Sequence, residues 1–309
     1  MKKCIYVIGG ANLDISATLF APFIANDSNP GHVTLGHGGV ARNLAHNLSL
    51  LGHDVKFVSV FGSDIFGGLM MDHCRHIGLD ITLSEHVSDY RTGTYLCINN
   101  QSGDMIAAVA DTEIISHITP EFLERRLGEL NKADYIVTDT NVSEAALSYL
   151  LSHCVAPVCV DAVSTTKAWR IINALNNSHT ARLHAMKLNL KEALVVTGME
   201  DYREAARKII DLGVENVYIT LGSEGVYCAG MVISGEVEPT ATLVDTLFPA
   251  LPVEVKNTTG AGDAFLAGAV HAYCCDIPFP QTAQYGLMAA RATLMSEQAV
   301  NPDIANILL

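Results

Sequence analysis

Asp263 stands directly behind three residues with almost no side chain, in the stretch Thr258-Thr-Gly-Ala-Gly-Asp263. The Ala-, Leu- and Val-rich segment that follows predicts a buried helix beginning near Gly260 or Ala261. A helix start exposes unpaired N–H groups and the positive end of the helix dipole, and small residues let an anion reach them. A carboxylate there suits phosphoryl transfer to an alcohol, because it can accept the proton of the attacking hydroxyl. The alternative is a turn that ends in a helix-capping Asp.

Asn12 and Asp14 follow the first strand-like run, in Gly9-Gly-Ala-Asn-Leu-Asp14. Ligands bind open α/β sheets just past the carboxyl ends of strands, so these side chains are candidates for ligand contact. An ionised Asp accepts two hydroxyl hydrogen bonds, and an Asn amide both donates and accepts, so the pair suits the vicinal diol of a ribose. The alternative is a strand-terminating turn.

The stretch Gly36-His-Gly-Gly-Val-Ala-Arg-Asn43 leads into a predicted helix. Paired Gly38 and Gly39 would let the backbone touch a ligand, and Asn43 falls one turn into the helix on the same side. The stretch is not the dinucleotide fingerprint, and the chain contains no phosphate loop of the G-x-x-x-x-G-K-[ST] type.

Two further stretches predict contacts with a nucleotide. Asn189 and Glu192 lie three residues apart at a helix start, where the Glu could orient water around a magnesium ion carried by a nucleotide. The alternative is a capping box, with Asn189 at the N-cap and Glu192 at N3. The stretch from Thr220 to Gly225 predicts a strand-turn-strand in which a nucleotide could lie against Gly222 and Gly225.

The helical face of His73 and His76, beside Cys74, offers no third and fourth metal ligand nearby, so we interpret it as solvated surface. The eight cysteines show no Cys-x-x-Cys spacing, which argues against a zinc ribbon or a disulfide framework and fits the reducing cytosol.

Alternating strand and helix signals position these residues. The strand-like runs are 4–9, 55–61, 134–138, 156–161, 184–189 and 215–221, and the helix-like segments are 41–51, 65–77, 120–131, 143–153 and 201–212. This alternation predicts an α/β fold with a mostly parallel sheet. Segments 15–37 and 91–111 break the pattern and predict a small antiparallel lid inserted in a single domain that spans 1–309.

The formal charge of −14 argues against DNA, RNA or an acidic membrane face as partner, because those need clustered Lys and Arg. No 18-residue apolar run without charges occurs, and the N-terminal run is too short for a secretory signal. We therefore expect a soluble, cytoplasmic protein.

Taken in order, these motifs resemble the PfkB, or ribokinase-like, family of carbohydrate and nucleoside kinases over nearly the whole chain. The resemblance implies a Rossmann-like three-layer core with a β lid, ATP as phosphoryl donor, magnesium, often potassium, and frequently a homodimer through the lids. It implies Asp263 as catalytic base, with an anion hole formed by Gly260, Ala261 and Gly262. It places on the acceptor side Asn12, Asp14, Gly38, Gly39, Asn43 and Lys167. It places on the nucleotide side Asn189, Thr220, Gly222 and Gly225, with Glu192 on hydrated magnesium.

Within the family, the chain most resembles the subgroup that phosphorylates pseudouridine. The features concerned are Asp27-Ser-Asn-Pro-Gly31, the run from Gly39 to Leu48, Asn141 to Leu147, Val160 to Ser164 with Lys167 beyond, and Asn301 to Ile304. The resemblance implies transfer to the 5′-hydroxyl of a nucleoside. The alternatives are another family kinase acting on ribose, adenosine, uridine or a hexose derivative, and a nucleoside sensor without turnover.

Asn257 departs from the family pattern. Many members carry Asp at this position, which is associated with a monovalent cation. An amide oxygen is a poorer cation ligand than a carboxylate, so the expectation of a potassium requirement is weaker here.

Overall fold

The structure is a computed structural model that describes residues 2–177, 183–234 and 240–308. In chain order its strands are β1 (Cys4–Ile8), β2 (Asn12–Leu19), β3 (Gly31–Gly38), β4 (Asp54–Val58), β5 (Val60–Gly62), β6 (Glu85–Val87), β7 (Gly93–Asn99), β8 (Met105–Asp111), β9 (Tyr135–Asp139), β10 (Val158–Asp161), β11 (Leu183–Asn189), β12 (Val214–Thr220), β13 (Val226–Ser234) and β14 (Thr240–Phe248). Its α-helices are α1 (Val40–Leu50), α2 (Ile65–His76), α3 (Pro120–Glu124), α4 (Leu127–Leu130), α5 (Glu144–His153), α6 (Trp169–Asn176), α7 (Leu190–Thr197), α8 (Tyr202–Asp211), α9 (Ala261–Cys274), α10 (Thr282–Leu294) and α11 (Ile304–Leu308).

The largest sheet in the described residues has the strand order β4, β1, β9, β10, β11, β12, β13, β14. Neighbours from β4 to β12 run parallel, and β13 and β14 extend the sheet as an antiparallel pair. Parallel neighbours need crossover connections, which α5, α6, and α7 with α8 supply between β9 and β12. The prediction of a mostly parallel sheet is confirmed.

Alternate residues of β1 enter different hydrophobic clusters. Tyr6 and Ile8 pack in the cluster that contains residues of α5, α6 and α8, whereas Ile5 and Val7 pack with residues of α1, α2 and α9. Successive strand side chains point to opposite faces, so helices cover both faces of the sheet. The predicted three-layer α/β/α core is therefore confirmed, and its double burial explains why the central strands read as continuous apolar runs.

The lid is a four-stranded sheet in the order β3, β2, β7, β8. The two hairpins, β2 with β3 and β7 with β8, are antiparallel as predicted. However, β2 and β7 pair in parallel, so the sheet is mixed and the prediction of a purely antiparallel lid was wrong. The two segments enter the lid in the same direction, with Asn12 opposite Gly93 at the start of both strands. Strand β2 also begins earlier than expected, which places Asn12 and Asp14 on the lid itself.

Two predicted elements are divided. The run 55–61 forms β4 of the large sheet and β5, which pairs with β6 in a separate sheet. The break falls at Ser59, whose backbone N–H donates to the Ser84 hydroxyl at 2.9 Å. The predicted helix 120–131 is interrupted between α3 and α4. In the parts of the chain that the structure describes, no helix has both the length and the apolar character needed to cross a bilayer.

Candidate functional site

Asp263 lies in the first turn of α9 and is only 8% exposed. The helix begins after Gly260, whose φ of 80° suits glycine and where a Cβ would collide with the Ala299 carbonyl. The Asp263 carboxylate accepts a hydrogen bond from Nδ2 of Asn43 at 2.6 Å. This contact joins residues 220 positions apart, so the carboxylate belongs to a tertiary site and the capping alternative does not describe it.

The surroundings of Asp263 raise its pKa to about 7. Burial is the largest cause and the carboxylate of Asp161 the next, while the Asn43 hydrogen bond and the Lys187 ammonium oppose the rise. A base is most effective when its pKa lies near the working pH. The site therefore holds a carboxylate suited to accepting a proton near neutrality.

Lys187 lies beside the start of α9 and was assigned no role from the sequence. Its Nζ donates to Oδ2 of Asp161 at 3.0 Å, and both side chains are buried. A Cβ on Gly262 would lie 2.6 Å from this Nζ, so the ammonium stands against the predicted anion hole. Burial alone would lower the pKa of Lys187, but the carboxylates of Asp161, Glu192 and Asp263 raise it, so the cation persists. A lysine inside the apolar run of β11 was the available signal, because buried lysines are nearly always paired.

Asp139, at the end of β9, is a second buried acid that the sequence interpretation missed. Its carboxylate accepts the backbone N–H of Ala41 at 2.9 Å and that of Asn141 at 2.8 Å. The first contact satisfies an N–H in the first turn of α1, the helix that carries Asn43. Burial raises the pKa of Asp139 to about 6. Asp139 therefore ties the sheet edge to the start of α1.

Asn12 and Asp14 bring polar atoms from the lid to the same region. The Asn12 Oδ1 is buried and, within the described residues, has no hydrogen-bond partner. Burial raises the pKa of Asp14 to about 6, against the opposing effect of the Arg42 cation. An unsatisfied buried acceptor is costly, so these atoms are suited to hydroxyl groups of a ligand.

Glycine is required at positions 38 and 39 for a steric reason that the sequence interpretation missed. A Cβ on Gly38 would overlap the Asp14 carboxylate, and one on Gly39 would overlap the carbonyl of Gly10. Gly39 also has a φ of 98°. Both glycines thus make room for the protein's own atoms, and their contact with a ligand stays a prediction.

Lys167 lies in the turn after β10 and is half-buried. Its Nζ donates to Oδ1 of Asn141 at 2.6 Å. Arg170 holds the same loop by donating to the backbone carbonyls of Thr140 and Asn141. Lys167 is therefore fixed to the loop that follows β9, beside Asp139, and its contact with an acceptor stays a prediction.

A cavity of about 600 Å³ opens beside the start of α9. Its walls bring together the predicted nucleotide residues Thr220, Gly222 and Gly225 with Ala261 and Gly262 of the predicted anion hole. The remaining walls are mostly apolar, and the residues that form them are Ser223, Ala250, Leu251, Pro252, Val253, Val255, Thr258, Phe265, Leu287, Ala290, Arg291 and Leu294. Such a cavity suits a planar apolar group joined to an anion.

Gly222 and Gly225 differ in what they adjoin. Gly222 has a φ of 60° and open space where a Cβ would stand, whereas a Cβ on Gly225 would collide with the Phe248 carbonyl. Gly222 is therefore the more open of the two glycines, and both lie in the cavity wall.

Asn189 and Glu192 form the capping box that was one of the two interpretations. The Asn189 side chain accepts the N–H of Glu192 at 2.9 Å, and the Glu192 carboxylate accepts the Asn189 backbone N–H at 2.8 Å and its Nδ2 at 2.7 Å. Asn189 lies opposite Thr220, one strand from the cavity wall. Each Glu192 oxygen retains a further lone pair, so capping leaves capacity for water.

In the described residues, the Asn257 side chain hydrogen-bonds to backbone groups. Its Nδ2 donates to the Glu297 carbonyl at 3.0 Å, and its Oδ1 accepts the Thr259 N–H at 2.9 Å. Nothing in these contacts gathers several oxygens around one point, as a potassium site requires.

The interpretation of His73 as solvated surface was wrong, although His76 is exposed. The His73 ring stacks on His37 of β3 with the ring centroids 3.5 Å apart, and His46 of α1 meets it edge-on. Burial lowers the pKa of His73 to about 3. Among the residues described, no group of three His, Cys, Asp or Glu could hold a metal ion.

The site therefore has three adjoining parts. The lid supplies Asn12 and Asp14, α9 supplies Asp263 and its backbone N–H groups, and the cavity beyond Gly262 is lined by the glycine turn after β12. A buried base between a hydroxyl-binding side and an anion-binding side can move a proton from an alcohol while an anionic group is held in place.

Comparison with known proteins agrees with this chemistry. A curated relative, the pseudouridine kinase of Escherichia coli strain K12, is 31% identical over 99% of this chain and 96% of its own length. The solved carbohydrate kinase of Agrobacterium tumefaciens is 26% identical with a TM-score of 0.80, covering 100% of this chain and 97% of its own. The Arabidopsis thaliana ribokinase solved with ribose and ATP is 17% identical with a TM-score of 0.76, covering 100% and 99%. The model of the pfkB family of carbohydrate kinases matches residues 2–306, and the chain belongs to this family.

Proposed function

We propose that this kinase transfers the terminal phosphoryl group of ATP to the 5′-hydroxyl of pseudouridine, giving pseudouridine 5′-phosphate and ADP. One observation carries the proposal: Asp263, buried and with a raised pKa, accepts the Asn43 hydrogen bond and directly follows Gly262, which lines the cavity. In this proposal the carboxylate receives the proton of the acceptor hydroxyl and faces the terminal phosphoryl group of ATP.

The transfer step balances around Asp263. Its ionised carboxylate takes the proton of the 5′-hydroxyl as the bond between the 5′-oxygen and the terminal phosphorus forms. The bond from that phosphorus to the bridging oxygen breaks, and ADP leaves with the electron pair. The backbone N–H groups of Gly260, Ala261 and Gly262 and the Lys187 ammonium stabilise negative charge on the moving phosphoryl group.

The acceptor side is explained by hydroxyl recognition. The Asp14 carboxylate accepts hydrogen bonds from the ribose diol, and the unsatisfied Asn12 oxygen takes another. Asn43 holds the Asp263 carboxylate in one orientation. Lys167 belongs to the acceptor side, next to Asp139.

The donor side is explained by the cavity. Its apolar walls accept the adenine, Thr220, Gly222 and Gly225 lie along the nucleotide, and Asn189 supports the same edge. Magnesium neutralises charge on the phosphates when bound. In the described chain no protein cage would hold it alone, so Glu192 would reach it through water, as Mg²⁺ often prefers. A potassium ion beside Asn257 stays a prediction, since its Oδ1 accepts one backbone N–H and retains a second lone pair.

The choice of pseudouridine follows from the subgroup features in the sequence and from the relative that is a pseudouridine kinase. The carbohydrate kinase and ribokinase neighbours make ribose the main rival. We further propose a single cytoplasmic kinase domain that dimerises through its lid, since the lid exposes apolar side chains such as Val33, Leu35 and Val109.

The deciding experiment measures ADP release with ATP and magnesium for pseudouridine, uridine, adenosine and ribose. We expect the highest kcat/KM with pseudouridine, and a clear preference for another acceptor would refute that specificity. Asp263→Asn should lower kcat by about 10²- to 10⁴-fold with little change in KM, because it removes a general base. Asp72→Asn, at an exposed acid paired with Arg75 on α2, is the control and should change neither constant. Near-normal turnover in Asp263→Asn would refute the mechanism, and nucleoside binding without ADP release would favour a sensor.

A further inference from the structure

Arg42, one turn into α1, is a buried cation with an unusual set of partners. Its side chain donates to the carbonyls of His37 and Gly38, the last two residues of lid strand β3, and to Oδ1 of the neighbouring Asn43. A further nitrogen contacts Nδ1 of His46 at 3.4 Å. The guanidinium thus joins the root of the lid to the residue that bonds Asp263.

The partners of Arg42 are neutral. In the parts of the chain that are described, no carboxylate lies within ion-pair distance of it. The surrounding imidazoles of His37, His46 and His73 stay uncharged, because burial and the Arg42 charge lower the pKa of each. Burial lowers the pKa of Arg42 to about 10, and the carboxylates of Asp14 and Asp263 oppose that fall from beyond ion-pair distance, so directed hydrogen bonds to neutral groups hold the guanidinium in place.

The effect of the Arg42 hydrogen bonds follows from the two different ends of the Asn43 side chain. A carboxamide has an oxygen that only accepts and a nitrogen that only donates. Because Arg42 donates to Oδ1, the Nδ2 end must face Asp263, to which it donates at 2.6 Å. A reversed amide would set its oxygen against the carboxylate and its N–H groups against the guanidinium, so both contacts would become repulsive.

We propose that Arg42 is a positioning residue for the reaction: it fixes the Asn43 carboxamide so that its nitrogen holds the Asp263 carboxylate, and it links this arrangement to the end of lid strand β3. The inference rests on the proposed function, in which Asp263 is the base. It concerns a residue that touches neither acceptor nor nucleotide. Arg suits this task better than Lys, because a planar guanidinium can donate in fixed directions to several acceptors at once.

A double-mutant cycle between Arg42→Met and Asn43→Ala tests the inference through kcat. We expect Arg42→Met to lower kcat by about 10²-fold, since a small misplacement of a reacting group has that effect. If Arg42 acts through Asn43, the double variant should be no slower than Asn43→Ala alone. Losses that multiply would overturn the inference.

The pH dependence of kcat supplies a readout that a merely structural role would not move. The Asn43 hydrogen bond lowers the pKa of Asp263, so losing it should move the acid limb of the profile to higher pH in both single variants. Asp161, Asp139 and Lys187 also act on Asp263 and are unchanged in these variants, whereas Arg42→Met removes the Arg42 charge, which itself interacts with Asp263. Arg42→Lys keeps that charge, so a shift of its acid limb reports the loss of the Asn43 orientation alone. An Arg42→Met profile that coincides with the wild type would contradict the inference.

Arg42→Lys separates geometry from charge, and it carries the test if Arg42→Met does not fold. It keeps the cation but not the planar set of donors, so we expect it to remain slow, and wild-type kcat in this variant would overturn the inference. Arg126→Met is the matched control. Arg126 also donates to two backbone carbonyls, those of Leu83 and Phe122, and stacks on the Phe122 ring, although unlike Arg42 it also pairs with the Glu85 carboxylate at 3.3 Å. Its loss should lower stability and leave the pH profile unchanged.

The proposed function and the positioning role of Arg42 are refuted by different results. If Asp263→Asn retains turnover, the proposed function falls. If Asp263→Asn is inactive while the Arg42 and Asn43 losses multiply, only the positioning role of Arg42 falls.

Discussion

Removing the Lys187 ammonium should damage folding and catalysis through separable causes. Lys187 and Asp161 form a pair with Nζ and Oδ2 3.0 Å apart and side chains 9% and 2% exposed. Lys187→Met leaves the Asp161 carboxylate buried with the Val163 N–H, at 2.8 Å, as a remaining partner. Breaking a buried pair in this way typically costs about 3–5 kcal/mol. In proteins somewhat smaller than this one, each kcal/mol of lost stability lowers Tm by about 2–4 °C. We therefore expect Tm to fall by roughly 10 °C.

The double variant Lys187→Met with Asp161→Asn separates the two effects. It removes both charges, and the Asn oxygen can still accept the Val163 N–H. Replacing a buried ion pair by neutral groups is often close to neutral for stability, so most of the lost Tm should return. The phosphoryl group would still lack the cation beside Gly262. We therefore expect kcat to stay about 10²- to 10³-fold below wild type, which is the usual cost of removing one group that stabilises developing charge.

The assay combines thermal unfolding with kcat at saturating ATP and pseudouridine. Recovery of both Tm and kcat in the double variant would show that Lys187 acts only in folding, and would refute its place in the anion hole. An unchanged Tm in Lys187→Met would refute the description of the pair as buried and mutually dependent.

Three further predictions follow from the geometry. The kcat of the wild type should rise with pH up to about 7 and then level off, because burial raises the pKa of Asp263 and only the ionised form accepts a proton; a flat profile between about pH 5 and 9 would contradict this. Gly222→Ala should raise KM for ATP with little change in kcat, because Gly222 lines the cavity, and it should cost about 1 kcal/mol of stability, because its φ is 60°. Titration with ATP measures the first effect and thermal unfolding the second. Val109 is 64% exposed in the single chain, so a dimer through the lid should dissociate in Val109→Lys. Sedimentation that shows no change of mass would contradict this prediction.

The parallel core was predictable because its physical signal is local. Strands covered on both faces must be apolar at every position, and the segment from Tyr135 to Asp139 is buried almost throughout. The start of α9 was predictable for a similar reason, since small residues before an apolar segment indicate a closely packed helix start. The direction of β7 relative to β2 has no such signal, because alternation of side chains is the same for parallel and antiparallel neighbours.

The contacts that set the pKa of Asp263 were not predictable from the spacing of residues in the sequence. Asn43 and Asp263 lie 220 positions apart, and only the ordered family motifs suggested that they belong to one site. Lys187 and Asp161 carry a weaker signal, a charged residue at the end of an apolar strand. Such a residue usually marks the point where a strand reaches solvent, and only the packing of α9 against the sheet edge reveals that both are buried.

In the proposed mechanism, chemistry and acceptor choice depend on different parts of the molecule. Asp263 and Lys187 lie on the core, where helix and strand ends fix them, and a short motif identifies Asp263. Beyond Asp14, the same face of the lid continues with Ser16, whose hydroxyl is bonded by the Cys97 thiol at 3.3 Å and by Nδ2 of Asn99 at 3.1 Å. A nucleobase attached to a ribose that Asp14 binds would contact side chains that lie on two separate strands, β2 and β7. Because no single motif contains them, the reaction can be inferred from the sequence more firmly than the nucleoside that undergoes it.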